Sequence, residues 1–167
     1  MTQPPIPGPA YVRSALGPPW GVSANESAMD RAFGADQWRD LRFEALNVPQ
    51  FLSESTFIFM DGSDQGAQIM ENFLSTHRAA LQNWVGAGGV LFLNAAPNVG
   101  DGMILGFGVT LRYFDGTSSA HAENASHPIF QGPFVPAGNS WSGTFGHATV
   151  SGAILTPLIV NSEHGRI

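Results

Sequence analysis

The chain has 167 residues, of which 43% are hydrophobic and only 12% charged, and its net charge at pH 7 is -6. This length is sufficient for one domain with its own core. All basic residues are arginines, and an acidic chain without clustered positive charge is not expected to bind nucleic acid or an anionic membrane surface. The absence of cysteine excludes disulfides, thiolate zinc sites and a cysteine nucleophile.

The composition also bears on localisation. No apolar run is long enough to span a membrane, so no membrane insertion is expected, and the N-terminus lacks the pattern of a signal peptide. The absence of lysine and cysteine, with many Gly, Asn, Ser and Thr residues, resembles exported bacterial proteins. We therefore expect an extracellular or periplasmic protein whose signal has been removed, with a cytosolic protein as the alternative.

The N-terminal part of the chain predicts a tail followed by alternating strands and helices. Residues 1–10 are rich in proline and predict an extended tail, so that a single domain is expected over residues 11–167. We expect a strand over residues 11–16, a helix from Asn25 to about Phe33, and a half-exposed edge strand over residues 40–46. Residues 48–54 are expected to form a connection.

The segment from Ser55 to Asn98 predicts a strand, a helix and a second strand. Residues 55–60 and 90–93 are short apolar runs, and residues 65–85 carry apolar side chains at helical spacing, with Ser63 or Asp64 as the N-cap. Two buried strands joined by a long helix are expected to be parallel neighbours, which predicts an α/β fold. The sheet core is expected to contain Phe57, Phe59, Val90, Phe92 and Leu93.

The C-terminal third predicts an irregular, β-rich region. A strand is expected over residues 109–114, a loop over residues 115–126, a rigid turn at His127-Pro128 and a late strand over residues 153–160. The chain ends just as a further strand is expected, which predicts a truncated domain. Residues 155–160 would then present an unpaired apolar edge, through which we expect the protein to self-associate.

Two motifs resemble the class I glutamine amidotransferase-like superfamily, and specifically its ThuA-like branch. The first is Trp84-Val85, a double glycine at residues 88–89 and the apolar run up to Asn94. The second is the turn that begins at His127. The resemblance covers roughly residues 11–160 and implies a flavodoxin-like sheet of four or five parallel strands with helices on both faces.

The resemblance also implies where a nucleophile would lie. Enzymes of the family place a cysteine, or a histidine in ThuA-like proteins, on the turn after the strand that residues 90–93 match. This chain has Asn94 at that position, and an asparagine is neither a nucleophile nor a proton carrier. We therefore expect a non-catalytic or degenerate member of the family.

In open α/β sheets, ligands bind beyond the carboxyl ends of the strands. This rule selects the loops after three predicted strands, at residues 17–26, 61–64 and 94–101. An aromatic side chain surrounded by carboxylates and amides suits a small polar ligand such as a carbohydrate, and such a site requires no cofactor. The expected ligand-binding residues are Trp20, Asn25, Asp64, Asn94 and Asn98.

Two metal sites can be considered. Asp61, Asp64 and Asp101 could hold a calcium ion, since carboxylate oxygens are its preferred ligands, although their spacing matches no EF-hand. His121, His127, His147 and His164, with Glu123, could hold zinc, but their irregular spacing on loops is more typical of turn and surface residues.

Two other classes of function stay open. One is a hydrolase of esters, lactones or glycosides, with a catalytic group among Ser63, Asp61 and Glu26 or a metal-activated water, although residues 62–66 do not form the nucleophile elbow of serine hydrolases. The other is a structural or surface-interaction domain, in which the same side chains would only cap turns.

Overall fold

The computed structural model describes residues 7–95, 102–113, 117–132, 138–145, 148–161 and 165–166. The chain divides into two compact units, an N-terminal unit (Met1–Asn98) and a C-terminal unit (Val99–Ile167). The single domain predicted for residues 11–167 stays a prediction. No helix among the described residues is both long enough and apolar enough to cross a membrane.

The N-terminal unit is an α/β layer structure with a four-stranded parallel sheet. The strand order is β2-β1-β3-β4, and every neighbouring pair is parallel, so the α/β prediction is confirmed. The elements are β1 (Gly8–Arg13), α1 (Ala24–Phe33), β2 (Arg39–Arg42), α2 (Val48–Ser53), β3 (Ser55–Asp61), α3 (Ala67–Gly86) and β4 (Val90–Asn94).

Helices cover both faces of this sheet. On one face, Met29 of α1 packs with Tyr11 and Phe59. Because side chains alternate along a strand, the fully buried Ile58 and Met60 lie on the opposite face. The helices α2 and α3 pack together and against β3 on that side.

Two parts of the sheet differ from the sequence-based expectation. The predicted tail is wrong beyond residue 7, because β1 begins at Gly8 and an irregularity between Gly8 and Pro9 accommodates the proline in the pairing with β3. The predicted burial of Val90 and Phe92 is also wrong, because these side chains are 55% and 53% exposed. Phe92 contacts Phe59 at a ring distance of 4.9 Å, so the exposed pair lies on the α1 face, beyond the cover of that helix.

Two helix predictions also need correction. Residues 48–53 form the helix α2 rather than a connection, with Asn47 accepting a hydrogen bond from the Gln50 backbone at its start. Neither Ser63 nor Asp64 caps α3 with its side chain, because a 3-10 turn (Asp64–Gly66) precedes the helix.

The C-terminal unit is built from antiparallel strands. One sheet has the order β5-β6-β9 and the other β11-β10-β7-β8. The strands are β5 (Gly102–Gly106), β6 (Val109–Tyr113), β7 (Thr117–Ala122), β8 (Ser140–Phe145), β9 (Ala148–Gly152), β10 (Ile159–Asn161) and β11 (Gly165–Arg166).

Four predictions for this region have clear outcomes. The β-rich character is confirmed, but the loop predicted over residues 115–126 contains β7. The predicted turn at His127 is confirmed, since its Nδ1 atom accepts a hydrogen bond from the Ile129 backbone. The unpaired edge predicted for residues 155–160 is wrong, because the strand starts only at Ile159 and β10 pairs with β7 on one side and β11 on the other. Self-association stays a prediction without this support.

Candidate functional site

The carboxyl ends of β1 and β3 border a cleft of about 330 Å³ in the N-terminal unit. Both strands are parallel, so the loops that follow them leave the sheet at the same edge. The lining combines polar residues from β3 and the turn after it with a proline-rich loop after β1. The lining residues are Arg13, Ser14, Leu16, Gly17, Pro18, Pro19, Trp20, Gly21, Asp61, Ser63, Asp64, Gln65 and Gly66.

A buried polar network lies beneath the cleft and is centred on Asp61, which is only 2% exposed. The Asp61 Oδ2 atom accepts hydrogen bonds from the Tyr11 hydroxyl at 3.0 Å and the Asn25 amide at 2.7 Å. The Oδ1 atom accepts from the Ser63 backbone at 3.1 Å and the Ser63 hydroxyl at 2.6 Å, and the Asn94 amide lies 3.5 Å away. One carboxylate therefore ties together α1, β1, β3 and β4.

Tyr11 is a member of this network that the sequence analysis missed. Burial raises the pKa of its phenol well above the ordinary value, and the carboxylate of Asp61 adds to the effect. The phenol therefore keeps its proton at neutral pH and acts as a donor to Asp61. Its position in the first strand suggested only a core residue, because strand periodicity does not show where a hydroxyl group finds its partner.

The cleft lining includes Trp20, which is 50% exposed. Its backbone has a left-handed conformation, with φ at 49°, and so does that of Asp64, with φ at 54°. The Trp20 backbone N–H donates to the Asp64 carboxylate at 3.1 Å, so the loop after β1 is joined to the turn after β3. Such conformations cost about 1 kcal/mol or more outside glycine and occur preferentially at ligand sites.

Arg13 contributes the one guanidinium group among the lining residues. It donates two hydrogen bonds to Asp40 at 3.0 and 3.3 Å and lies 3.5 Å from Glu26. One oxygen of Glu26 is buried with no hydrogen-bond partner among the described residues. Glu26 itself is not part of the cleft lining, and its other oxygen lies close enough to Arg13 for an ion pair.

The structure brings together most of the residues that the strand-end rule selected. Trp20, Asp61, Ser63 and Asp64 line the cleft, and Asn25 and Asn94 bind Asp61 beneath it. The predicted ligand-binding residue Asn98 and the predicted calcium ligand Asp101 lie outside the described residues. The residues that were missed are Tyr11, Arg13, Ser14 and Gln65, which carry no motif.

Metal binding stays a prediction. Within the described ranges, no three His, Asp or Glu side chains are grouped as potential metal ligands. Of the histidines considered for zinc, His147 and His164 lie outside these ranges.

Comparisons of the chain with protein-family models, with curated proteins and with solved structures found no match.

Proposed function

We propose that the N-terminal unit binds a small polyhydroxylated ligand, a carbohydrate, in the cleft at the carboxyl ends of β1 and β3, and that it does so without catalysis. The observation that carries this proposal is the half-exposed Trp20 in the lining of a polar cleft. An aromatic face can pack against the C–H groups of a sugar ring while nearby polar atoms bind its hydroxyl groups. The cleft volume is at the lower end of the range of small-ligand sites.

The position of Asn94 supports the absence of catalysis. If the resemblance to the amidotransferase-like superfamily holds, Asn94 occupies the place of the nucleophile, and its amide points a donor at Asp61. Asp61 in turn accepts hydrogen bonds from several donors and is almost completely buried. Neither side chain is arranged to take a proton from a substrate.

The test is a binding measurement with a panel of mono- and disaccharides, by calorimetry and by ligand-induced thermal shift. The Trp20→Ala variant should lose most of the binding with little change in stability, because its side chain is half exposed. Val22→Ala is a matched control, since Val22 is 54% exposed and lies outside the cleft lining. Failure of every sugar to bind the wild type, or equal binding to Trp20→Ala, would contradict the proposal.

A hydrolase is the second candidate function, and one contact favours it. The Ser63 hydroxyl lines the cleft and lies 2.6 Å from a carboxylate oxygen of Asp61, a distance suited to proton transfer. A screen of ester, lactone and glycoside substrates, with and without calcium or zinc, tests this reading. Turnover that persists when Ser63, Asp61 and Glu26 are all replaced by alanine would exclude these residues as its source.

A further inference from the structure

The parallel sheet of the N-terminal unit ends in β2 on one side and in β4 on the other. The edge at β2 carries the charged residues Arg39, Asp40 and Arg42. Two of these side chains are held in ion pairs, Arg39 with Glu54 and Asp40 with Arg13. Charged side chains on an edge strand oppose pairing with the strand of another chain. The β2 edge is therefore protected against association.

The edge at β4 has no such protection. The strand has the sequence Val-Leu-Phe-Leu-Asn, and it lies in the longest run without a charged residue in the N-terminal unit, residues 79–98. Val90 and Phe92 are each more than half exposed. Among the described strands, β4 pairs only with β3. An uncharged edge with exposed apolar side chains is a template for a partner strand.

The backbone of β4 shows which of its groups face outward. The Asn94 carbonyl accepts a hydrogen bond from the Gly62 N–H at 2.9 Å, so it points toward β3. Backbone groups alternate in direction along a strand, so the N–H and C=O groups of Leu91 and Leu93 point away from β3. These groups have the direction that a strand on the outer side requires.

We propose that β4 pairs antiparallel with β4 of a second copy of the chain, about a twofold axis, and so joins two four-stranded sheets into one. A second copy fits because a twofold interface uses the same surface on both sides. Two copies of an acidic chain also approach best where neither carries charge.

The outward backbone groups define the register of this pairing. The register that pairs all five residues of β4 places Phe92 on the axis, opposite its own counterpart. Leu91 of each copy then exchanges hydrogen bonds with Leu93 of the other. Phe92 forms a pair without hydrogen bonds between its backbone groups, in which the Cα atoms lie about 4.5 Å apart and the side chains touch.

The first test is sedimentation equilibrium of the full chain over a range of concentrations. Phe92→Lys places like charges opposite each other on the axis and should weaken the dimer about ten-fold or more. Ile154→Lys is the matched control, because Ile154 is 87% exposed and belongs to the C-terminal unit. It should leave the dimer unchanged. Circular dichroism checks that both variants are folded.

A cysteine cross-link tests the register independently of charge. The chain has no cysteine, so a disulfide can form only where a cysteine is introduced. Phe92→Cys should give a covalent dimer on mild oxidation, because the paired positions on the axis lie close enough for a disulfide. Val22→Cys is the control at another half-exposed apolar position, and it should stay largely monomeric.

The outcomes decide the matter as follows. Loss of the dimer in Phe92→Lys alone, with cross-linking of Phe92→Cys alone, supports pairing through β4. A wild type that stays monomeric at millimolar concentration overturns the proposal and leaves the edge to a partner of another kind. A dimer that persists in Phe92→Lys, or that Ile154→Lys weakens equally, uses another surface and overturns it too. If Phe92→Lys does not fold, equal cross-linking of Phe92→Cys and Val22→Cys excludes β4 as the interface.

Discussion

Replacement of Asp61 by alanine should destabilise the N-terminal unit strongly. The change removes the acceptor for the Tyr11 hydroxyl, the Asn25 amide and both the N–H and the hydroxyl of Ser63. Asn25 can still donate to Tyr11, which is 3.2 Å away, and the Ser63 hydroxyl can turn to water in the cleft. The Tyr11 hydroxyl and the Ser63 N–H then stay without acceptors. Each buried unsatisfied donor costs about 1–3 kcal/mol, so the free energy of unfolding should fall by about 2–6 kcal/mol.

The assay is urea unfolding followed by circular dichroism at the helical band, since the α-helices among the described residues all belong to the N-terminal unit. Asp61→Asn keeps the side-chain volume and one acceptor oxygen, and it should lose less stability than Asp61→Ala. Glu71→Ala is the control, because Glu71 is half-buried on α3 and its one contact among the described residues is a long one from Gln68, at 3.4 Å. It should change the free energy of unfolding by less than about 0.5 kcal/mol. A loss below about 1 kcal/mol in Asp61→Ala would refute the buried network.

Further predictions concern packing and charge. A Cβ atom at Gly62 would lie 2.4 Å from the Cβ of Met70, whereas one at Gly86 would meet nothing within 4 Å. In urea unfolding, the free energy of unfolding should therefore fall by about 1–3 kcal/mol in Gly62→Ala and should not fall in Gly86→Ala. Burial alone would raise the pKa of Asp40, but hydrogen bonds from arginines outweigh it and hold that pKa below 3.8. This contribution to stability is present above pH 3.8 and is lost as the pH falls through the lower folded-state pKa, so Asp40→Asn should flatten the acid side of the stability profile. Tyr11→Phe should retain the fold but remove the phenol with the raised pKa. In an alkaline titration followed by ultraviolet absorbance, the phenol that ionises late should therefore be missing from the variant. An unchanged titration curve would show that Tyr11 is not the protected phenol.

The parallel sheet could be predicted because its strands and helices are long enough to show their periodicity. The helix α2 could not, because Pro49 suggests a break in a short segment. A proline in the first turn of a helix removes an N–H that needs no partner there. The strand β7 was missed because Thr117, Ser118 and Ser119 resemble a polar loop. The exposure of Val90 and Phe92 was missed because an apolar run shows what could be buried on each face, not whether another element covers it.

The candidate site could be predicted in position but not in role. The strand-end rule placed Asn25, Asp61 and Asn94 near one another, since it depends only on topology. It could not show that Asp61 is buried and surrounded by donors, or that Ser63 directs its proton to Asp61. Those contacts depend on side-chain directions at the ends of strands, where periodicity stops.

The strand order of the N-terminal unit also governs how this part of the chain can fold. The strand β1 lies between β2 and β3, so that Ala10 pairs with Arg39 on one side and with Ile58 on the other. The strand β3 also pairs with β4, where Phe57 lies opposite Val90. No two neighbouring strands are connected by a hairpin, and no pair can form without closing a loop that contains a helix. The entropy of loop closure must be lost before any sheet contact compensates for it. The helices α1 and α3 can form locally, but the sheet makes folding slow relative to a helical protein of the same size.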